Sequence, residues 1–141
     1  MSGFLLDTCV LSEFKKQRPD AGLVTWLEEI DAHATYISSL TIGELRYGIA
    51  RLPAGKKRAE LETWLKSDIV PAFGNRILPI DHDVADRWGR LRADADSRGE
   101  TLSPLDGFIA ATAFQRNLYL VTRNQKHFPR QIEIVNPWTL P

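Results

Sequence analysis

The sequence is poor in cysteine, in net charge and in long apolar runs, and each shortage excludes a class of protein. Its 141 residues include one cysteine, Cys9, which excludes an intramolecular disulfide and a Cys-x-x-Cys metal site. Lys plus Arg and Asp plus Glu number 18 each, so net charge neither favours nor excludes nucleic acid as a partner. No apolar run approaches the roughly 20 residues of a membrane span, and residues 1–4 do not resemble a signal peptide. These shortages predict a cytoplasmic protein without a membrane segment.

What remains is the composition of an ordinary globular protein. Hydrophobic residues make up 43% of the chain and charged residues 26%, which argues against disordered and fibrous classes. The length suits one domain with a sizeable core, and the sequence contains no repeat, low-complexity tract or linker. We therefore expect a single domain over residues 1–141.

The order of predicted strands and helices favours an α/β fold. Five short runs are typical of strands, the last with the alternation of a half-exposed edge strand: Phe4–Leu6, Thr35–Ser38, 76–80, 118–122 and 131–135. Between them, apolar residues recur at helical spacing in three stripes: Val24, Leu27 and Ile30; Leu61, Trp64, Leu65 and Ile69; and Val84, Trp88, Leu91 and Ala95. This alternation predicts a mainly parallel sheet, and in such folds ligands bind outside the carboxyl ends of the strands.

Three carboxylates stand at junctions between these predicted strands and helices. Asp7 follows the first strand directly, Glu44 is predicted to open the helix after the second strand, and Asp106 opens the helix before the fourth. Each has a structural explanation, because Asp7 suits an N-cap and the four residues ending at Glu44 and at Asp106 match capping boxes. Acids in a first turn also complement the helix dipole. For any one of the three, capping is the simpler interpretation.

Considered as a set, the three acids indicate a metal site. Glu44 and Asp106 lie among apolar neighbours in the sequence, and acids are rarely buried unless they are paired or bind a metal. Three carboxylates at one end of a sheet would repel one another, and a hard divalent cation such as Mg²⁺, which prefers oxygen ligands, removes that repulsion. Such an ion polarises a phosphate and lowers the pKa of a bound water. The acids therefore predict a metal-assisted reaction at a phosphate.

Four segments of the chain resemble those of the PIN-domain family. They are LLDTCVLSEF, TIGELRYGIARL, SPLDGFIAATA and LVTRNQKHF, in the family's order and at its separations, so the resemblance covers nearly the whole chain. In particular, the chain resembles the VapC toxins of bacterial type II toxin–antitoxin pairs. Its Val-Asn-Pro-Trp segment at residues 135–138 is similar to the subgroup that includes the FitB proteins. The resemblance implies a three-layer α/β/α sandwich around a mainly parallel sheet.

The same resemblance implies an activity, a cofactor and partners. It implies an endoribonuclease that uses Mg²⁺ or Mn²⁺ to cleave RNA, often a tRNA or a ribosomal RNA, and thereby halts translation. The partner would be a small DNA-binding antitoxin of the VapB type that wraps the toxin and blocks its site. A homodimer of the toxin, and a higher-order complex with the antitoxin, would follow.

The resemblance also assigns site residues. The family's catalytic acids, which would hold the metal, correspond to three residues: Asp7, Glu44 and Asp106. Family members often carry a fourth acid near the Thr-Arg-Asn segment, where this chain has Asn124 and His127, and this departure favours one metal ion over two. Polar residues beside the acids are predicted to support the site by binding a metal-bound water or the phosphate: Thr8, Arg123 and Asn124.

Other interpretations differ in how well the sequence supports them. A phosphatase of the haloacid dehalogenase type needs a second aspartate where this chain has Cys9, and the motifs of P-loop ATPases and serine hydrolases are missing. One alternative stays open because the fourth acid is absent. The protein would then be a binding module with weak or no catalysis, acting with a DNA-binding antitoxin to regulate its own operon.

Basic and aromatic residues give weaker signals. Three clusters could guide RNA, although such runs usually form solvated surface: Lys15, Lys16 and Arg18; Lys56, Lys57 and Arg58; and Arg123, Lys126 and Arg130. Three tryptophans on helical stripes are interpreted as core or dimer surface rather than as platforms for stacked bases: Trp26, Trp64 and Trp88.

Overall fold

The computed structural model describes residues 1–139 and has a five-stranded parallel sheet at its centre. The strands are β1 (Phe4–Leu6), β2 (Thr35–Ser38), β3 (Ile77–Leu78), β4 (Tyr119–Val121) and β5 (Ile134–Val135), in the order β3-β2-β1-β4-β5. Leu5 of β1 lies opposite Tyr36 of β2 on one side and Leu120 of β4 on the other. The strand order reverses between β1 and β4, which is the switch point of the sheet. Residues 140 and 141 of the expected domain lie outside the described residues.

Helices connect the strands. They are α1 (Thr8–Glu13), α2 (Ala21–Glu29), α3 (Ser39–Ala50), α4 (Lys56–Thr63), α5 (Val70–Phe73), α6 (His82–Ser97) and α7 (Pro104–Gln115). A π-helical segment, Trp64–Ile69, joins α4 to α5 without a break. Among the helices of residues 1–139, none combines the length and the apolar character needed to span a bilayer.

The helices cover both faces of the sheet because the strands are apolar on both sides. Leu5 is fully buried in one core with residues of α6 and α7, whereas Leu6 lies in a second core with residues of α1, α2 and α3. Since alternate side chains of a strand point to opposite faces, β1 contributes to both cores. The expected three-layer α/β/α sandwich with a parallel sheet is therefore confirmed.

Helix α7 begins at a capped turn and packs closely on α6. Ser103 is the N-cap, and its hydroxyl oxygen accepts the N–H of Asp106 at 3.4 Å, while a proline occupies the first helical position. At Gly107 a Cβ atom would lie 2.7 Å from Trp88 Cδ1, so only glycine allows this close approach. The Trp88 ring also stacks on Phe108, with 4.7 Å between the ring centroids. These contacts fix the first turn of α7 and, with it, Asp106.

The sequence predicts most of these elements but misplaces one helix start. The bounds of β1 and β2 match the prediction, the other three strands are shorter than predicted, and β5 is an edge strand as its alternation indicated. Helix α3 begins at Ser39, so the prediction that Glu44 opens this helix is wrong. Ser38 ends β2 and caps α3 by accepting the N–H of Leu40 at 3.0 Å, and the helix therefore starts directly after the strand. Glu44 consequently lies in the second turn of α3.

Candidate active site

Asp7 lies at the switch point of the sheet, directly after β1. Its N–H donates to the carbonyl oxygen of Val121 at 3.0 Å, which extends the contact between β1 and β4 by one residue. The side chain is buried, with 8% of the residue exposed, and caps α1 because Oδ1 accepts the N–H of Thr8 at 2.8 Å. The other oxygen, Oδ2, accepts the hydroxyl of Thr122 at 2.9 Å. Asp7 is therefore an N-cap, as its position suggested, and is also held from the β4 side.

Glu44 reaches the same region from α3, where Thr8 holds it. The Thr8 hydroxyl donates to Glu44 Oε1 at 2.6 Å and lies 3.3 Å from the hydroxyl oxygen of Thr41. Thr41 is fully buried, and it lies on the same face of α3 as Glu44 because the two are three residues apart. These contacts tie the start of α1 to α3, so the pair Asp7–Thr8 helps to position two of the three acids.

Asp106 approaches the sheet edge from the first turn of α7. The hydroxyl of Ser103 donates to Asp106 Oδ2 at 2.9 Å, and His127 Nδ1 lies 3.9 Å from the same oxygen. The Asp106 side chain is 33% exposed, so it is the more accessible of the two aspartates. His127 comes from the segment after β4. Residues that follow β1 and β4, the two strands at the switch point, therefore both contact the acids.

The three acids are electrostatically coupled. Burial raises the pKa of Asp7 above its usual value and the charge of Asp106 adds to this rise, whereas hydrogen bonds from Thr122 and Thr8 lower it. Burial is also the main reason why the pKa of Glu44 is raised, and the charges of Asp7 and Asp106 raise it further. Within residues 1–139, no lysine or arginine forms an ion pair with these acids, and the one histidine within ion-pair distance of them is His127, 3.9 Å from Asp106. The site therefore concentrates negative charge that the described side chains leave largely uncompensated.

This donor set suits a hard divalent cation. The acids offer only carboxylate oxygens, which Mg²⁺ and Mn²⁺ prefer as ligands, and a cation would relieve their mutual repulsion. Within residues 1–139, however, no three Asp, Glu, His or Cys side chains already form a group that would hold a metal ion. The acids thus converge on one edge of the sheet without forming a complete coordination shell.

The predicted supporting residues after β4, Arg123 and Asn124, contact none of the three acids within the described part of the chain. Arg123 Nη1 lies 3.7 Å from the buried carboxylate of Glu13, and the guanidinium carbon lies 5.6 Å from the centroid of the Trp138 ring. The backbone N–H of Asn124 donates to the hydroxyl oxygen of Thr122 at 3.0 Å. Their proposed contacts with a phosphate or a metal-bound water stay predictions.

Thr122 is a site residue that the sequence does not single out. It is fully buried, donates to the Asp7 carboxylate and accepts the N–H of Asn124. The sequence pattern makes it merely the last residue of the predicted fourth strand. Its position directly after the observed end of β4 matches that of Asp7 after β1, and a polar residue at this edge of a parallel sheet is the signal that would have identified it.

Comparisons with known proteins agree with this fold. A family model described as PIN domain matches residues 4–132. A VapC ribonuclease of Sinorhizobium fredii is 36% identical over 135 residues, covering 95% of this chain and 96% of the relative. Toxin FitB of Neisseria gonorrhoeae is 39% identical over 135 residues, covering 95% and 97%. A FitAB complex bound to a DNA fragment has a TM-score of 0.92 at 37% identity, over 98% of this chain and 97% of that one. The chain therefore belongs to the PIN-domain family, as its four motifs indicated.

Proposed function

We propose that the protein is the toxin of a type II toxin–antitoxin pair and hydrolyses RNA phosphodiester bonds with the aid of Mg²⁺ or Mn²⁺. The observation that carries this proposal is the buried carboxylate of Asp7 at the switch point, whose pKa is raised by burial and by the charge of Asp106. A buried acid without a close cationic partner destabilises the fold, which favours a functional reason for its presence. The names of two relatives, VapC ribonuclease and toxin FitB, support the same activity.

In this proposal the three acids hold the metal, directly or through water. When bound, a divalent ion neutralises charge at the phosphate and activates a water molecule. Each acid is oriented by the hydroxyl of a neighbouring residue, which limits its side-chain freedom: Thr122, Thr8 and Ser103. Because Asn124 stands where a fourth acid is common in the family, we expect one metal ion rather than two.

The partner we propose is a small DNA-binding antitoxin of the VapB type. The FitAB complex whose fold this chain shares is bound to DNA, which supports a partner of this kind. A homodimer of the toxin, assembled with the antitoxin into a higher-order complex, would be the repressing form. The substrate would be RNA in the cytoplasm, with a tRNA or a ribosomal RNA as the expected target.

A second function is favoured by the incomplete set of acids. Residues 124 and 127 are not acidic, and residues 1–139 contain no preformed group of three ligand-type side chains. A binding module with weak or no catalysis, which acts with its antitoxin on the operon, would have the same fold and the same partner. The two functions differ in whether the purified protein cleaves RNA.

Removal of divalent metal is expected to abolish RNA cleavage reversibly. Purified protein incubated with total cellular RNA should lose cleavage in EDTA and regain it with excess Mg²⁺ or Mn²⁺, because the acids alone do not neutralise a phosphate. Sequencing RNA 5′ ends measures the cleavage and identifies the target. Cleavage that persists in EDTA would contradict a metal-dependent mechanism. Operator binding with the antitoxin, together with intact RNA, would instead favour the binding module.

Replacement of Thr122 by valine is expected to lower the cleavage rate by about 10- to 100-fold, the usual effect of losing a group that orients a metal ligand. Valine has nearly the same shape but cannot donate to Asp7 or accept the N–H of Asn124, so the pKa of Asp7 should rise further. Thr122→Ser keeps the hydroxyl and should retain most of the activity. Equal losses in both variants would indicate a packing effect, and full activity of the valine variant would contradict a positioning role.

A further inference from the structure

A cavity of about 270 Å³ opens directly beside the candidate active site. Thr8 and Glu44 are among its lining residues, so the cavity adjoins the region where the acids converge. Its walls are apolar side chains of α3, α4 and the π-helical segment: Leu45, Ile49, Leu61 and Trp64. Its volume lies just below the range of about 300–1,000 Å³ that is usual for pockets of drug-sized ligands, and it therefore suits a group of the size of one nucleobase.

The rim of this cavity is basic. Lys15, Lys16 and Lys57 line it, and Lys16 is paired with Glu13 at 2.9 Å. Within residues 1–139, neither Lys15 nor Lys57 forms an ion pair, so no carboxylate of the described residues neutralises either ammonium group. The Nζ atom of Lys15 lies 5.4 Å from the centroid of the Trp64 ring. An aromatic wall with lysines at its edge that no carboxylate neutralises suits single-stranded nucleic acid, because bases stack on aromatic rings while phosphates contact lysines.

We propose that this cavity binds one unpaired nucleotide of the RNA, adjacent to the phosphodiester that is cleaved. The base lies against the indole of Trp64 and the apolar wall, and its phosphate contacts Lys15 and Lys57. This inference rests on the proposed function, since the occupant is part of the substrate. Lys15 can leave the indole face for the phosphate because its four-carbon stem is flexible. The π-helical segment that begins at Trp64 fits this role, as such segments occur frequently at functional sites.

Charge distinguishes this cavity from its neighbour. A second cavity, of about 520 Å³, lies next to the same Thr8 and Glu44, and its other lining residues are Leu40, Gly43, Tyr47 and Leu105. None of these side chains is cationic. A ligand that carries a phosphate therefore favours the first cavity. An apolar helix of a protein partner would fill either cavity without needing the lysines.

The test measures RNA binding by protein that carries Asp7→Asn, in EDTA, so that cleavage does not interfere. The probe is a fluorescein-labelled single strand of random sequence, about 12 nucleotides long, with one 5-iodouridine for photochemical cross-linking. Adding Trp64→Leu to this parent should weaken binding about ten-fold, since a stacking contact is lost. Trp64→Phe keeps an aromatic face and should retain most of the affinity, which separates stacking from a folding defect. The cross-link should fall on the tryptic peptide of residues 59–66, which contains Trp64.

Replacing Lys15 and Lys57 together by alanine should also weaken binding and reduce its dependence on salt, because two phosphate contacts are removed. Lys66→Ala is the matched control, since Lys66 is an exposed lysine that does not line the cavity. Salt titrations of the same labelled strand measure both effects. Loss of affinity in the Lys66 variant equal to that of the double variant would overturn the assigned phosphate contact.

The outcomes for the cavity and for the proposed function are separable. Unchanged RNA affinity of Trp64→Leu, or cross-links that all fall outside residues 59–66, would overturn the subsite even if the wild type cleaves RNA. If Trp64→Leu binds the antitoxin more weakly but RNA with unchanged affinity, the nucleotide subsite is overturned as well, and the cavity is assigned to the protein partner. RNA binding with a cross-link at residues 59–66, by a protein whose wild type cleaves no RNA, would support the subsite and refute the nuclease.

Discussion

The Asp7→Asn variant is expected to cleave RNA at least about a thousand-fold more slowly than the wild type, because a metal contributes several kcal/mol to the barrier and each 1.36 kcal/mol is a factor of ten. Asparagine has the same shape and is as good an N-cap as aspartate, so α1 should still begin at Thr8. What the variant loses is the negative charge at the switch point. Induction of the variant in cells should no longer arrest growth, and RNA 5′-end sequencing should show no new ends.

Asp20→Asn is the matched control for this variant. Asp20 is also an N-cap aspartate, because its carboxylate accepts the N–H of Leu23 at 3.0 Å at the start of α2, but it does not contact the three acids. The chemical change and the helix position are the same in both variants, and the Asp20 variant should therefore arrest growth as the wild type does. An active Asp7 variant, or an equal loss in both, would contradict the assignment of Asp7 as a catalytic acid.

The same Asp7 variant is expected to change how stability depends on pH in metal-free buffer. The pKa of Asp7 is raised from its ordinary 3.8, so the folded chain binds this proton more tightly than the unfolded chain. The free energy of unfolding therefore falls as the pH rises from about 3.8 through the raised value, and it stays lower at neutral pH. The Asp7→Asn variant has no carboxyl at this position that ionises, so it avoids this fall in the free energy of unfolding. The stability of the variant relative to the wild type should therefore increase from acidic to neutral pH.

Denaturant unfolding in EDTA at a series of pH values measures this difference. Glu44, whose pKa is raised from 4.5, acts in the same direction, and part of that rise comes from the charge of Asp7. Asp7→Asn reduces this part, so Glu44 adds to the expected difference with the same sign. Added Mg²⁺ or Mn²⁺ should raise the melting temperature of the wild type more than that of the variant, because a ligand stabilises the state that binds it. A stability difference that is the same at every pH would show that the buried charge of Asp7 does not destabilise the fold.

Much of the fold and two of the three acids could be placed from the sequence. The run Phe-Leu-Leu before Asp7 has no polar residue on either face, as expected for a strand buried on both sides, and the two leucines do lie in separate cores. Once the strands are parallel, residues after them meet at one edge. This geometric rule accounts for Asp7. Asp106 was predictable from its capped turn, because the Ser-Pro start of α7 is a strong local signal.

The remaining features depend on contacts between residues far apart in the chain. Ser38 and Thr41 are both good N-cap residues, and the sequence alone favoured the wrong one. Thr41 lies instead near the hydroxyl of Thr8, 33 residues away. Trp64 packs against the second core, as its helical stripe predicted, but its position in the wall of a cavity could not be read from the stripe. Helical periodicity predicts which face of a helix is apolar, but not whether a neighbouring helix covers that face.

Asp106→Asn is expected to abolish cleavage while leaving α7 in place, whereas Ser103→Ala should destabilise α7 and only reduce cleavage. The amide oxygen of the introduced asparagine can still accept the Ser103 hydroxyl, and the lost charge at the helix N-terminus costs only about 0.3–1 kcal/mol. Ser103→Ala removes the N-cap, which costs about 1 kcal/mol of stability, but keeps the carboxylate of Asp106. RNA cleavage and denaturant unfolding of the two variants, measured side by side, separate the two roles.

If Asp106 served only to begin the helix, the two variants would rank in the same order in both measurements. The more stable one, with the cap intact, would then also be the more active. If Asp106 is a metal ligand, the order reverses: the asparagine variant is stable but inactive. The alanine variant is less stable but keeps part of its cleavage, because Asp106 loses an orienting hydrogen bond and not its charge. An active Asp106→Asn protein would reduce this residue to a structural role. It would leave only Asp7 and Glu44, which are joined through Thr8, as acids for a metal.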